Sequence, residues 1–125
     1  MATCIDVAGA SYPNTYKGNT IIPLEGQSLV SSFNGNSMEE RPLFWEHEGN
    51  KAIRLGEYKL VSKWAKDSEY NWELYDLKGD RSEMNDLSDT MPDKVIELEM
   101  LWKQWAQKAG VCTWGSREEI VQSNP

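Results

Sequence analysis

The side chains able to do acid–base, nucleophilic or metal chemistry are few in this sequence, and they are dispersed. The single histidine, His47, has no serine or cysteine beside it, and no G-x-S-x-G, HExxH, P-loop or GxGxxG motif occurs. An imidazole alone is not a catalytic unit. Trp45 and His47 nevertheless fall on one side of a strand, with Glu46 and Glu48 on the other. At a strand end beside the Glu48-Gly49-Asn50 turn, His47 is placed either to donate to a ligand oxygen or to serve as an ordinary structural or surface histidine. Asp76, Lys78 and Asp80 resemble part of a calcium loop, but Lys78 replaces an oxygen ligand and Gly79 is misplaced, so a polar turn with a helix cap fits better. Ser11-Tyr12-Pro13-Asn14-Thr15 sits in an irregular stretch and forms no nucleophile motif. Aromatic residues offer a further chemistry, stacking on the C–H faces of sugars. Trp102 and Trp105 are accounted for by the apolar face of a helix, and Trp45 and Trp72 by β-propensity, which leaves Trp64 and Trp114 as free stacking candidates.

The elements that must carry these residues follow from patterning. Leu43–His47, Ala52–Leu55, Tyr58–Ser62 and Trp72–Tyr75 read as four short strands of an antiparallel meander, with Gly49-Asn50 and Gly56-Glu57 supplying the first two turns. Asp80-Arg81-Ser82-Glu83 has capping-box spacing, which predicts a short helical turn carrying Met84 and Leu87. Pro92 then opens one strong helix and Gly110 ends it. Met91, Val95, Leu98, Trp102, Trp105 and Ala109 recur at steps of three and four and share its apolar face. A helix of this kind lies across the sheet, so the expected fold class is α+β: a small four-stranded antiparallel sheet packed against one long C-terminal helix, preceded by an irregular wrapping segment.

Upstream, residues 3–10 read as the end of a short apolar helix stopped by Gly9, and residues 11–42 as an irregular Ser-, Asn-, Gly- and Pro-rich segment. A chain that opens inside an apolar helix and continues through so long a connection is expected to belong to something larger. The expected organisation is a linker or wrapping segment over 1–42, an α+β subdomain over 43–115 and a polar tail over 116–125.

Composition narrows the function classes. The chain has 125 residues and a formal net charge of −7, enough length for one domain with one core. Its basic residues are outnumbered and scattered, which argues against nucleic acid and anionic lipid as partners, and no apolar run is long enough to cross a membrane. Cys4 and Cys112 form no CxxC unit and are expected to be free, mostly buried thiols.

The stretch from Arg41 to Val61, RPLFWEHEGNKAIRLGEYKLV, resembles the C-terminal subdomain of type I sulfatases, especially bacterial arylsulfatase-like enzymes. Trp72-Glu73-Leu74-Tyr75-Asp76-Leu77, the acidic run from Asp80 to Leu87, and the helix from Pro92 to Trp105 continue the resemblance. Ile5 to Ala10, Tyr12-Pro13 and Leu24 to Leu29 resemble the bridge out of the family's catalytic domain, so the likeness covers about residues 3–109. It implies a sulfuric ester hydrolase as parent. Family members carry a C/S-x-P-x-R motif, oxidised to formylglycine, and a calcium ion, both in an N-terminal catalytic domain. Ser11 to Thr15 comes near the motif but ends in Thr15. The resemblance therefore implies a fragment with no catalytic residue, metal or cofactor of its own, inactive alone, with its own N-terminal catalytic domain as partner. A sulfated glycan or aryl sulfate would be the substrate of the intact enzyme, and the location would be periplasmic or secreted. It also implies that His47, Glu48 and Asn50, and Arg54 more weakly, belong to a substrate-binding rim. A free-standing carbohydrate-binding module and a protein-interaction module are the alternatives.

Overall fold

The computed structural model describes residues 1–65, 71–112 and 114. The chain divides into two compact units, Met1–Glu39 and a second beginning at Glu40. In the first, α1 (Ala2–Val7) is followed by the two-residue strands β1 (Thr15–Tyr16) and β2 (Asn19–Thr20) and by the single turn α2 (Val30–Phe33). Gly9, at φ 61°, accepts the left-handed position that ends α1, and the Ala10 N–H reaches back to the Ile5 carbonyl. The stretch expected to be irregular thus holds a small hairpin, turned at Lys17-Gly18 with both φ values positive, and one helical turn. Asp6 and Ser28 join by a 2.6 Å hydrogen bond, and the Leu29 N–H donates to Thr3 Oγ1. No residue of this unit is buried.

The second unit is the α+β body. Strands β3 (Leu43–His47), β4 (Asn50–Leu55), β5 (Tyr58–Ser62) and β6 (Glu73–Asp76) pair in sequence order as an antiparallel meander, and α3 spans Pro92–Ala109. β4 starts two residues earlier than its pattern predicted, because His47 pairs with Asn50 and the turn residues are Glu48 and Gly49. Their φ values of 52° and 81° give the turn that matches strand twist, and a glycine is most at ease at the second position. At the next turn only Gly56 has positive φ, and Leu55 pairs with Tyr58.

Period-two alternation sends Phe44, Ile53, Leu60 and Leu74, one rung across all four strands, toward α3. Ile53, Leu60, Leu74 and Leu98 are fully buried, with Trp102 and Ala106 beside them. On α3 the stripe runs through Leu98, Trp102 and Ala106, and Ala109, expected on the apolar face, is exposed. At that end of the helix the residue packed against the core is Val111, just after the Gly110 cap. The helix face is dominated by aromatic contacts. Phe44 stacks on Trp105 at 5.1 Å, and Trp102 meets Trp72 and Trp105 edge-on at 6.0 and 6.1 Å.

No helix forms over Asp80–Leu87. Glu83 adopts φ 55°, which breaks a right-handed turn, and Asp80 Oδ2 accepts instead from the N–H groups of Met84 and Asn85. Asp86 and Leu87 then run beside β6: Leu74 N–H donates to the Asp86 carboxylate Oδ1, and Leu87 N–H to the Leu74 carbonyl. This covers part of the open edge of β6. Cys4 and Cys112 are both exposed, contrary to the expected burial, since neither lies on a face that packs inward.

Candidate functional site

Two places on the second unit bring polar side chains together, and they lie toward opposite ends of the sheet. At one end is the Glu48-Gly49 turn. Asn50 Nδ2 donates to the His47 carbonyl at 2.9 Å, and Asn50 Oδ1 accepts from the Trp64 N–H at 3.1 Å. Glu46 Oε1 accepts from the Gly49 N–H at 2.9 Å. Gly49 is itself buried: a Cβ there would come within 2.5 Å of Trp64 and 2.8 Å of Trp114. The two tryptophans unassigned by pattern therefore clamp this turn, and Trp64 is half-buried against it. His47 and Glu48 remain exposed at its tip.

At the other end lies a groove of about 820 Å³ on the sheet face turned away from α3. Its floor follows from register, since Trp45 pairs with Ala52, and Arg54 with Lys59. Side chains two apart along these strands share that face, and its walls come from the β4–β5 turn and the 77–83 loop. Glu57, Leu77, Lys78, Arg81 and Glu83 complete the lining. Lys59 Nζ lies 2.6 Å from Glu83 Oε1, and Lys78 Nζ 2.9 Å from Glu57 Oε1, which holds the Lys78 ammonium above its usual range through that hydrogen bond. Arg54 gives its Nε–H to the Gly56 carbonyl at 3.2 Å. Neither Arg54 nor Arg81 forms an ion pair with a carboxylate among the described residues. Trp45 stands at the groove with 48% of its surface exposed.

Four cations thus meet two carboxylates in this groove, although the whole chain carries a net charge of −7. Of the four expected rim residues, the structure places Arg54 in the groove, and His47, Glu48 and Asn50 at the far turn. His47 and Asn50 share the outer face with Arg54, about 13 Å along the strand by strand rise. Pattern reading missed Lys59, Lys78, Arg81 and Glu83. The first was available, because Arg54 and Lys59 are symmetric about Gly56-Glu57 and must face each other across a two-residue turn. The others come from a loop whose path no periodicity encodes.

On the opposite face, Lys51 Nζ sits 5.1 Å over the Trp102 ring; burial lowers its pKa, while Glu99 works in the other direction. Glu99 accepts from Trp72 Nε1 at 2.9 Å and pairs with Lys103 at 2.8 Å. The Lys103 hydrogen bond keeps its carboxyl below the usual range. On the same face as Lys59, burial and the hydrogen bond to Glu73 push the Tyr75 hydroxyl up to about 12. These groups are engaged in packing. Among the described residues no set of His, Cys, Asp or Glu side chains is grouped to hold a metal ion. The Asp76 and Asp80 carboxylates cap loop amides instead.

A small antiparallel sheet with one face sealed by a tryptophan-rich helix and the other open over a basic groove defines an α+β subdomain. The chain belongs to the N-sulphoglucosamine sulphohydrolase C-terminal family, whose model matches residues 1–109, and it is a sulfatase C-terminal subdomain. It is 29% identical, over 99% of its length, to an uncharacterized sulfatase of Schizosaccharomyces pombe, of which it spans 23%. It also matches a solved chain described under the metabolism of multiple glycosaminoglycans by Bacteroides thetaiotaomicron. That likeness has a TM-score of 0.65 and 19% identity over 85% of this chain and 24% of the other. A protein solved in complex with its substrate D-glucosamine-2-N,6-O-disulfate gives a TM-score of 0.58 and 21% identity, over 85% of this chain and 22% of that one. At these identities the solved structures establish the fold. The chain spans about a quarter of the length of the relatives it matches.

Proposed function

We propose that this chain is the non-catalytic C-terminal part of a sulfuric ester hydrolase, where it completes the fold and lines part of the substrate site. The observation that carries this reading is the family match over residues 1–109, joined to a fold whose second sheet face is open and basic. The unit Met1–Glu39 supports it, because no residue there is buried and Met1, Val7, Ile22 and Phe33 each expose two-thirds or more of their surface. Such a segment gains stability from burial against further protein.

Calcium and a formylglycine nucleophile belong, on this reading, to the catalytic domain of the parent. The donor set here does not fit either group. Ser11 to Thr15 lacks the arginine of the nucleophile motif, and among the described residues no three His, Cys, Asp or Glu side chains are grouped to hold a metal ion. A sulfated glycan is the substrate class favoured by the groove, since arginine and lysine recognise sulfate oxygens and an exposed tryptophan accepts a sugar face. His47, Glu48, Asn50 and Arg54 are the rim residues of this proposal.

The test has two arms. The chain alone is assayed against an aryl sulfate and a sulfated glycan, with no turnover expected. In the full-length parent, His47→Ala is expected to raise KM with kcat little changed. Turnover by the chain alone would overturn the non-catalytic assignment, and kinetics unchanged by His47→Ala would remove that residue from the rim.

A further inference from the structure

We infer that the groove between β4, β5 and the 77–83 loop is a subsite for one saccharide unit bearing an oxyanion, with Arg54 and Arg81 holding the anion and Trp45 contacting the ring. This deepens the proposed function and rests on it for the identity of the parent's substrate. The chemistry of the groove makes the case by itself. Two of its cations are already neutralised, Lys59 by Glu83 and Lys78 by Glu57, so they act as walls. The two guanidinium groups have no carboxylate partner among the described residues, and they line the same 820 Å³ space. A guanidinium presents paired N–H groups that match two oxygens of a sulfate or carboxylate, which an ammonium does not.

The Arg54 Nε–H bond to the Gly56 carbonyl fixes the root of that side chain and leaves its terminal N–H groups for a ligand. An inorganic anion would need only the arginines. The exposed Trp45 ring gives the groove an apolar wall beside them, and Ala52, opposite Trp45 in the register, leaves room over the strand where a larger residue would fill it. An aromatic wall next to two unpaired guanidinium groups suits a ligand with one apolar ring face and one charged substituent. A negative oxygen is also what an excess of two positive charges attracts within an otherwise acidic chain.

The experiment titrates the chain with glucose sulfate, glucuronate, glucose and inorganic sulfate, following backbone amide shifts. The expected result is saturable binding of a charged sugar, with shifts centred on Trp45, Ala52, Arg54 and Arg81, and little response to glucose. Arg81→Gln and Arg54→Gln each weaken it about tenfold, the size of one lost charge-assisted hydrogen bond. Lys63→Gln, the same charge change on an exposed side chain outside the groove, leaves it unaltered. Tighter binding of the sulfate ester, or of the carboxylate, names the substituent and supports the inference in either case. Inorganic sulfate binding as tightly as glucose sulfate would overturn the saccharide assignment, and binding untouched by both arginine variants would overturn the site. A parent without sulfatase activity would overturn the proposed function while leaving a positive titration standing; an active parent with no titration here would overturn this inference alone.

Discussion

Replacing Trp102 tests the packing that holds the sheet face in place. Its side chain is only 5% exposed, meets Trp72 and Trp105 edge-on, and lies beneath Lys51. Its Nε1–H donates to the Trp45 carbonyl at 3.0 Å, so it also satisfies a polar group of β3, an edge strand of the sheet. Removing a buried indole costs about 3–5 kcal/mol, and stranding a carbonyl adds to that, so Trp102→Ala is expected to lose about 4 kcal/mol or more. With a urea slope of about 2 kcal/mol/M, the unfolding midpoint falls by about 2 M. Trp102→Phe keeps much of the ring and loses the N–H, and should cost about 1–3 kcal/mol. Urea titrations followed by far-ultraviolet circular dichroism separate the two contributions. A midpoint shift under about 0.5 M for the alanine variant would refute the account of the core. A phenylalanine variant as stable as the parent chain would refute the value placed on the Trp45 hydrogen bond.

Gly49→Ala is expected to destabilise the chain by several kcal/mol, because its φ of 81° disfavours a side chain and a Cβ would meet Trp64 at 2.5 Å; thermal melts check this. Ser62→Ala should be neutral or stabilising by up to about 1 kcal/mol, since the buried Ser62 hydroxyl has no hydrogen-bond partner among the described residues; a loss above that range would reveal a partner. Burial opposes ionisation of Asp86, but hydrogen bonds from Leu74, Ser88 N–H and Ser88 Oγ outweigh it and lower its pKa. The stability this contributes is present above the ordinary carboxylate pKa of about 4 and is lost as pH falls through the lower folded value. Asp86→Ala should therefore flatten the acid limb of stability against pH, and an unchanged limb would reject the assignment. Asn50→Ala is expected to cost about 1–2 kcal/mol in stability, measured by thermal melts, because its amide bonds to the His47 carbonyl and the Trp64 N–H are lost.

The fold was legible where a period was unbroken. Leu43–His47 and Tyr58–Ser62 alternate cleanly and form strands with those bounds, and Pro92 and Gly110 bracket α3 as proline and glycine at helix ends should. Legibility ended where one residue could satisfy two local geometries. Asp80-Arg81-Ser82-Glu83 carries the spacing of a helix cap, yet Glu83 gains a salt bridge to Lys59 from a left-handed backbone, and the tertiary contact prevails over the local preference. The Glu48-Gly49 turn shows the same limit at single-residue scale. Gly49-Asn50 and Glu48-Gly49 are both acceptable hairpin pairs by composition, and both keep Phe44 and Ile53 on one face; they differ in register, the observed turn setting Phe44 directly opposite Ile53 where the other would set it opposite Leu55.

The groove is legible in part, for a related reason. A strand pattern tells which residues share a face, and the register sets Arg54 and Trp45 on the same one, but the pattern says nothing of what a loop brings over that face. His47, Glu48 and Asn50 enter the proposed rim through the family resemblance, which no strand pattern supplies. Asn50 spends its amide oxygen on the Trp64 N–H and one amide hydrogen on the His47 carbonyl, both inside the turn. Arg54, taken as the weakest of the four, keeps its terminal N–H groups available while its Nε–H is anchored. Between residues equally open to solvent, unspent hydrogen-bonding capacity on a fixed backbone favours a binding role over a structural one, and by that measure Arg54 is the strongest of the four proposed rim residues.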